Sequence, residues 1–75
     1  MMDTFLKEMA DILDEESVRE SDRLDGFGAW DSLAVLSVLA MADSRFHATF
    51  SAREIRGVAT VGDLYRLLST GTKAG

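Results

Sequence analysis

Between Leu33 and Ala42 nine of ten residues are apolar, Ser37 being the exception, in a chain of 75 residues. The run falls well short of the roughly 20 residues that span a bilayer. Proline is absent from the chain and two-residue alternation is nowhere sustained, so the periodicity to test is that of a helix. At about 100° per residue, with Ser32 at zero, Val35, Val38, Leu39 and Ala42 fall between about 240° and 340°. Leu33, Leu36 and Ala40 fall between about 40° and 100°, on the opposite side. A helix apolar all round is normally wholly buried, and a domain this small cannot enclose one completely. One stripe therefore packs on the core. The other is either covered by neighbouring segments or left as a docking surface for partner proteins, with a bound acyl chain as a further possible occupant.

Chains divide into separate cores only well beyond this length, so residues 1–75 form a single domain, with an ordered core expected over about 3–70 and a frayed tail from Thr72 to Gly75. Hydrophobic residues make up 47% of the sequence, enough for it to fold without help. There is no cysteine and one histidine, His47. Neither a disulfide framework nor an ordinary zinc site is available, and packing must hold the domain together. The net charge of −5 repels phosphate backbones and argues against nucleic acid as a partner. Residues 1–37 hold ten acids and three bases, and the remainder three acids and five bases, so the acidic character belongs to the first half. An acid at position 3 stands where a secretory signal carries positive charge, and a cytosolic location is expected.

The spacing predicts four helices and an all-α fold. Phe5, Leu6, Met9, Ile12 and Leu13 recur at intervals of three and four, leaving Lys7, Glu8, Asp11 and Asp14 to face water, with Asp3 or Thr4 as the cap. From Glu15 to Trp30 the periodicity fails and turn formers gather, giving a long loop of a length that is usually functional. Val18, Leu24, Phe27 and Trp30 are placed to pin that loop onto the helices. The second helix runs from about Ser32 to Ser44, with Asp31 or Ser32 at its start. A short third one follows Ser51, which with Glu54 matches the S-x-x-E capping box. Thr60 caps the last helix, whose Val61, Leu64, Leu67 and Leu68 share one side, and which stops near Gly71.

Asp31-Ser32-Leu33 sits where the glycine-bearing loop becomes the second helix. A serine there keeps its hydroxyl outside the core, and free N–H groups and the helix dipole favour a bound or attached anion such as a phosphate. The plainer reading is an N-cap worth about 1 kcal/mol, and the two are compatible.

From Phe5 to Leu68 the chain resembles an acyl carrier protein. The likeness rests on Leu24 and Phe27 in the loop, Asp31-Ser32-Leu33 opening the second helix, Phe46 after it, and Thr60-Val61-Gly62-Asp63-Leu64 leading the last. The resemblance implies that Ser32 is the site where a separate phosphopantetheinyl transferase attaches 4′-phosphopantetheine from coenzyme A. The terminal thiol of that arm would carry an acyl group as a thioester, so the missing cysteine is no obstacle. Asp31 would help the transferase and its metal ion engage Ser32. Leu33, Leu36, Ser37, Ala40 and Asp43 would form the face that docks the transferase and the acyl-loading and acyl-using enzymes of a pathway, with the carrier itself a monomer that neither catalyses a reaction nor enters the membrane. An arm of this kind keeps the cargo at high effective concentration near each docked enzyme.

Three departures from the family pattern bear on the pathway. Family members usually carry several acids along the second helix, but here Ser37 and Ser44 are neutral, Arg45 is basic and Asp43 alone is acidic, which weakens electrostatic steering. Trp30 stands where an aliphatic residue is usual, and Gly28 lies one residue farther from Asp31 than the common spacing. These favour a specialised carrier, in polyketide, nonribosomal peptide or surface-glycan biosynthesis, over housekeeping fatty-acid synthesis. Two other readings remain open. One is a hydrolytic triad of Ser32, His47 and an acid such as Asp31, which would need a preformed oxyanion hole and an oriented base. The other is a cofactor-free helical interaction module using the Leu33, Leu36 and Ala40 stripe alone.

Overall fold

The first helix starts ahead of both of its expected caps. In the computed structural model, which describes residues 2–71, α1 spans Met2–Leu13, so Asp3 and Thr4 lie inside its first turn. Asp3 instead sets a negative charge against the positive end of the helix dipole. Then come α2 (Ser32–Phe46), α3 (Ala52–Arg56) and α4 (Val61–Gly71), an all-helical arrangement with no strand among the described residues. No described helix is long and apolar enough to cross a membrane. The tail expected from Thr72 onward lies outside the described residues.

One core holds the helices together. Phe5, Met9 and Leu13 of α1 meet Val35, Val38 and Ala42 of α2, with Ile55 from α3 and Val61, Leu64 and Leu68 from α4, all of them buried. At the end where α1 begins and α2 stops, three rings close this core. Phe5 packs edge-on against Tyr65 at 5.1 Å and Phe46 at 6.3 Å, and Phe46 meets Tyr65 at 6.0 Å. Glu8, expected to face water, is half-buried and ion-paired with Arg45, which ties α1 to the last turn of α2.

The segment between α1 and α2 is more ordered than a bare loop. Val18 and Leu24 are buried, Phe27 and Trp30 half-buried against the core, and Leu24–Gly26 forms one turn of 3₁₀ helix. Its backbone also pairs with the approach to α4. Leu24 N–H donates to Ala59 C=O (3.0 Å), Val61 N–H to Asp22 C=O (3.0 Å) and Gly62 N–H to Glu20 C=O (2.9 Å). At Gly62 a Cβ would lie 3.2 Å from the Glu20 carbonyl, so that approach explains the glycine. Arg23 donates twice to Asp25 (both 3.1 Å), and these bonds, with the guanidinium charge, hold the Asp25 carboxyl below its ordinary range.

Two non-glycine residues adopt the left-handed conformation, each just past a helix end: Asp14 after α1 (φ 59°) and His47 after α2 (φ 52°). After α1, Glu15 N–H reaches Ala10 C=O (2.8 Å) and Asp14 N–H reaches Asp11 C=O (3.2 Å), the hydrogen-bond pair of a Schellman cap that glycine usually closes. A Cβ is strained there, more so for His than for Asp. His47→Gly is expected to stabilise the domain by about 0.5–1 kcal/mol, less for Asp14→Gly. For a domain of this size that is a rise in Tm of several degrees, measurable by thermal circular dichroism.

Candidate functional site

The start of α2 is built by Asp31. Its backbone is extended, its Oδ1 accepts from the Ala34 N–H (3.1 Å), and its carbonyl accepts from the Val35 N–H (3.0 Å). Of the two candidate caps, Asp31 is therefore the one used, and Ser32 is left as the first helical residue with its side chain free of that duty. Ser32 is solvent-exposed, as is Asp31. Among the described residues the Ser32 hydroxyl has one partner, the Arg56 guanidinium, whose Nη2 donates to Oγ at 2.9 Å.

Arg56 reaches Ser32 because of how α3 is held. The expected capping box forms in full: Glu54 N–H donates to Ser51 Oγ (3.2 Å) and Ser51 N–H to Glu54 Oε1 (2.9 Å). Ile55 is fully buried and plugs this five-residue helix into the core, and the Gly57 N–H closes its end on the carbonyls of Arg53 and Glu54. The residue after Ile55 is then delivered to the head of α2.

Along α2 the two stripes separate as buried and open, with one correction. The buried arc consists of Ala34, Val35, Val38, Met41 and Ala42, whereas Leu39, assigned to the core face from its angle, is half-buried at the edge. Ala34 and Met41 take its place because the core lies on the α1 side of that stripe. The opposite stripe is uncovered. Leu33 is 73% exposed and Leu36 59%, and Ser37, Ala40 and Asp43 are exposed beside them. Neither α3 nor the long loop covers the stripe. All the residues expected at the site thus share the head and outer face of one helix, and Arg45, paired with Glu8 on the inner side, leaves Asp43 as the charge on that face.

Ser32 and His47 stand at opposite ends of α2, about 22 Å apart at 1.5 Å per residue, so the hydrogen bond a triad requires is not made. A cavity of about 430 Å³ lined by Phe5, Met41, Phe46, His47 and Tyr65 also belongs to that far end. No group of acids and histidines among the described residues is arranged to hold a metal ion.

No family model, curated protein or solved structure matches the chain. What bears on its function is the local geometry. An exposed hydroxyl begins a 15-residue helix, a guanidinium lies against it, and two exposed leucines follow within one turn.

Arg56 is the site residue that sequence reasoning did not find. It lies 24 positions from Ser32, on a different and short helix, and no local pattern marks the contact.

Proposed function

We propose that the chain is an acyl carrier, modified on Ser32 with 4′-phosphopantetheine and visited in turn by the enzymes of a dedicated biosynthetic pathway. The observation that carries this reading is an exposed Ser32 hydroxyl, free of capping duty, at the head of a helix whose outer face presents Leu33 and Leu36. The surroundings suit an attached phosphodiester, because the Arg56 guanidinium and the positive end of the α2 dipole both favour negative charge at that oxygen. When attached, the arm supplies the thiol on which an acyl group is held as a thioester.

The chain's own residues divide the remaining work. Asp31 fixes the helix start and so the direction of the Ser32 Cα–Cβ bond, and its exposed carboxylate edge is available to a transferase and its metal ion. Leu33, Leu36 and Ala40 offer apolar contact, Ser37 and Asp43 a polar margin. With one acid on this face, docking draws on burial of the leucines more than on charge, and the contact stays weak enough to release. The same economy of charge favours a specialised pathway over housekeeping fatty-acid synthesis.

The test is direct. Purified protein is incubated with coenzyme A and a broad-specificity phosphopantetheinyl transferase, then weighed intact and mapped by peptide mass spectrometry. A gain of one phosphopantetheine located on Ser32 is the expected result. No gain with several such transferases overturns the reading and leaves the exposed stripe as an interaction surface without a cofactor.

A further inference from the structure

The Arg56 side chain is set apart by what it touches, a serine hydroxyl on another helix. Arg23, Arg45 and Arg66 are each paired with a carboxylate, on Asp25, Glu8 and Asp63 respectively. Lys7, Arg19 and Arg53 make no ion pair among the described residues and neither does Arg56, but Arg56 directs its guanidinium at a neutral hydroxyl. One hydrogen bond to one oxygen uses a small part of a planar group with five donors, whose matched acceptor is an anion with two adjacent oxygens. Its partner among the described residues is the oxygen that the carrier reading assigns as the nucleophile.

We infer that Arg56 acts directly on the reacting atom of the loading reaction and afterwards holds its product, an inference that rests on the carrier reading. In that reaction the Ser32 Oγ forms a bond to the phosphorus nearer the pantetheine of coenzyme A. The bond from that phosphorus to the oxygen of the departing adenosine 3′,5′-bisphosphate breaks, and the serine proton leaves to a base on the transferase. Because Oγ accepts from Arg56, its own O–H remains free to be donated to that base. The guanidinium also opposes the negative charge that develops on Oγ as the proton departs. Once the phosphodiester has formed, the same guanidinium lies within reach of its two non-bridging oxygens and can grip them in a fork. Without changing the length of the arm, that grip would restrict the direction in which it leaves the domain to the side on which Arg56 meets Ser32.

The side chain is exposed, so solvent moderates the effect, and Arg56→Gln is expected to lower kcat/KM for loading by about tenfold, with Arg56→Lys in between. A slower reaction alone could reflect a lost transferase contact. The deciding measurements are therefore made on loaded protein with the transferase removed. Proton–nitrogen correlation spectra of the wild type follow the Arg56 side-chain signals before and after loading, and phosphorus NMR compares loaded wild type with loaded Arg56→Gln. Expected are a displaced Arg56 signal on loading and a phosphodiester resonance that differs between the two proteins, the difference shrinking at high salt. If Ser32 is loaded but the Arg56 signals do not move and the two phosphorus spectra coincide, the role given to Arg56 is overturned while the carrier reading stands. If the wild type gains no mass at all, the carrier reading itself fails and takes this inference with it.

Discussion

Ser32→Ala is expected to abolish loading entirely while leaving the domain as stable as before, to within about 0.5 kcal/mol. The first half follows from the chemistry, since alanine offers no oxygen to phosphorus. The second follows from the geometry of the helix start. Asp31 supplies the capping oxygen, at 3.1 Å from the Ala34 N–H, and Ser32 supplies none. Alanine is the better helix former by about 0.5 kcal/mol. Against this stands the lost hydrogen bond to Arg56 at an exposed site, a contribution of about 1 kcal/mol at most. The terms nearly cancel, and thermal denaturation should place the variant within a few degrees of the wild type. Asp31→Ala provides the contrast. It leaves the hydroxyl in place but removes the cap, at a cost of about 1 kcal/mol and roughly 4–8 °C in Tm. A Ser32→Ala protein that melts as far down as Asp31→Ala would mean that Ser32 is the structural residue, and a Ser32→Ala protein that still gains mass would place the modification elsewhere.

The parts of this fold that could be read from the chain are those whose causes are local. The capping box of Ser51 and Glu54 and the Thr60 cap each involve residues three apart, and each forms as the spacing predicts. Local signals also mislead. Asp3 and Thr4 have the chemistry of caps, but nothing before them breaks the helix, which runs through both. The contacts that assemble the domain are distant in sequence and carried by side chains that look solvated. Glu8 meets Arg45, and Arg56 meets Ser32. The bridge between Arg23 and Thr60 leaves no trace at all, because backbone groups pair there and every residue has them. Helix 2 falls between these extremes. Its two stripes are plain from the periodicity, but which residues border each is decided by where the neighbouring helices pack, so Ala34 and Met41 are buried where Leu39 was expected. For the site, Ser32, Asp31 and the open stripe were legible because one helix carries them all, and Arg56 was not because a different helix does.

A pair of substitutions on α2 makes the division of its surface measurable. Val38 is fully buried. Val38→Asp would set a carboxylate in the core with no partner, a change costing several kcal/mol even after water penetrates or the group protonates. At roughly 0.05–0.15 kcal/mol per residue a domain of this size has a total stability of about 4–11 kcal/mol, so the variant is expected to lose much or all of it and to melt far below the wild type in thermal circular dichroism. Two residues earlier in the sequence, Leu36→Asp meets solvent. It should keep the spectrum and the Tm within a few degrees, because the wild-type side chain is 59% exposed and contributes little to the core. Its effect should emerge on docking. A leucine fully buried by a partner contributes about 1.5–3 kcal/mol, and a carboxylate in that place adds the cost of its own desolvation. Loading and acyl transfer should therefore weaken at least tenfold, mainly through KM, with the fold intact. The reverse ranking, Leu36→Asp unfolded and Val38→Asp folded, would mean that the exposed stripe is the one that packs. Leu36→Asp folded and loaded at the wild-type rate would mean that the stripe, though open, is not where the transferase lands.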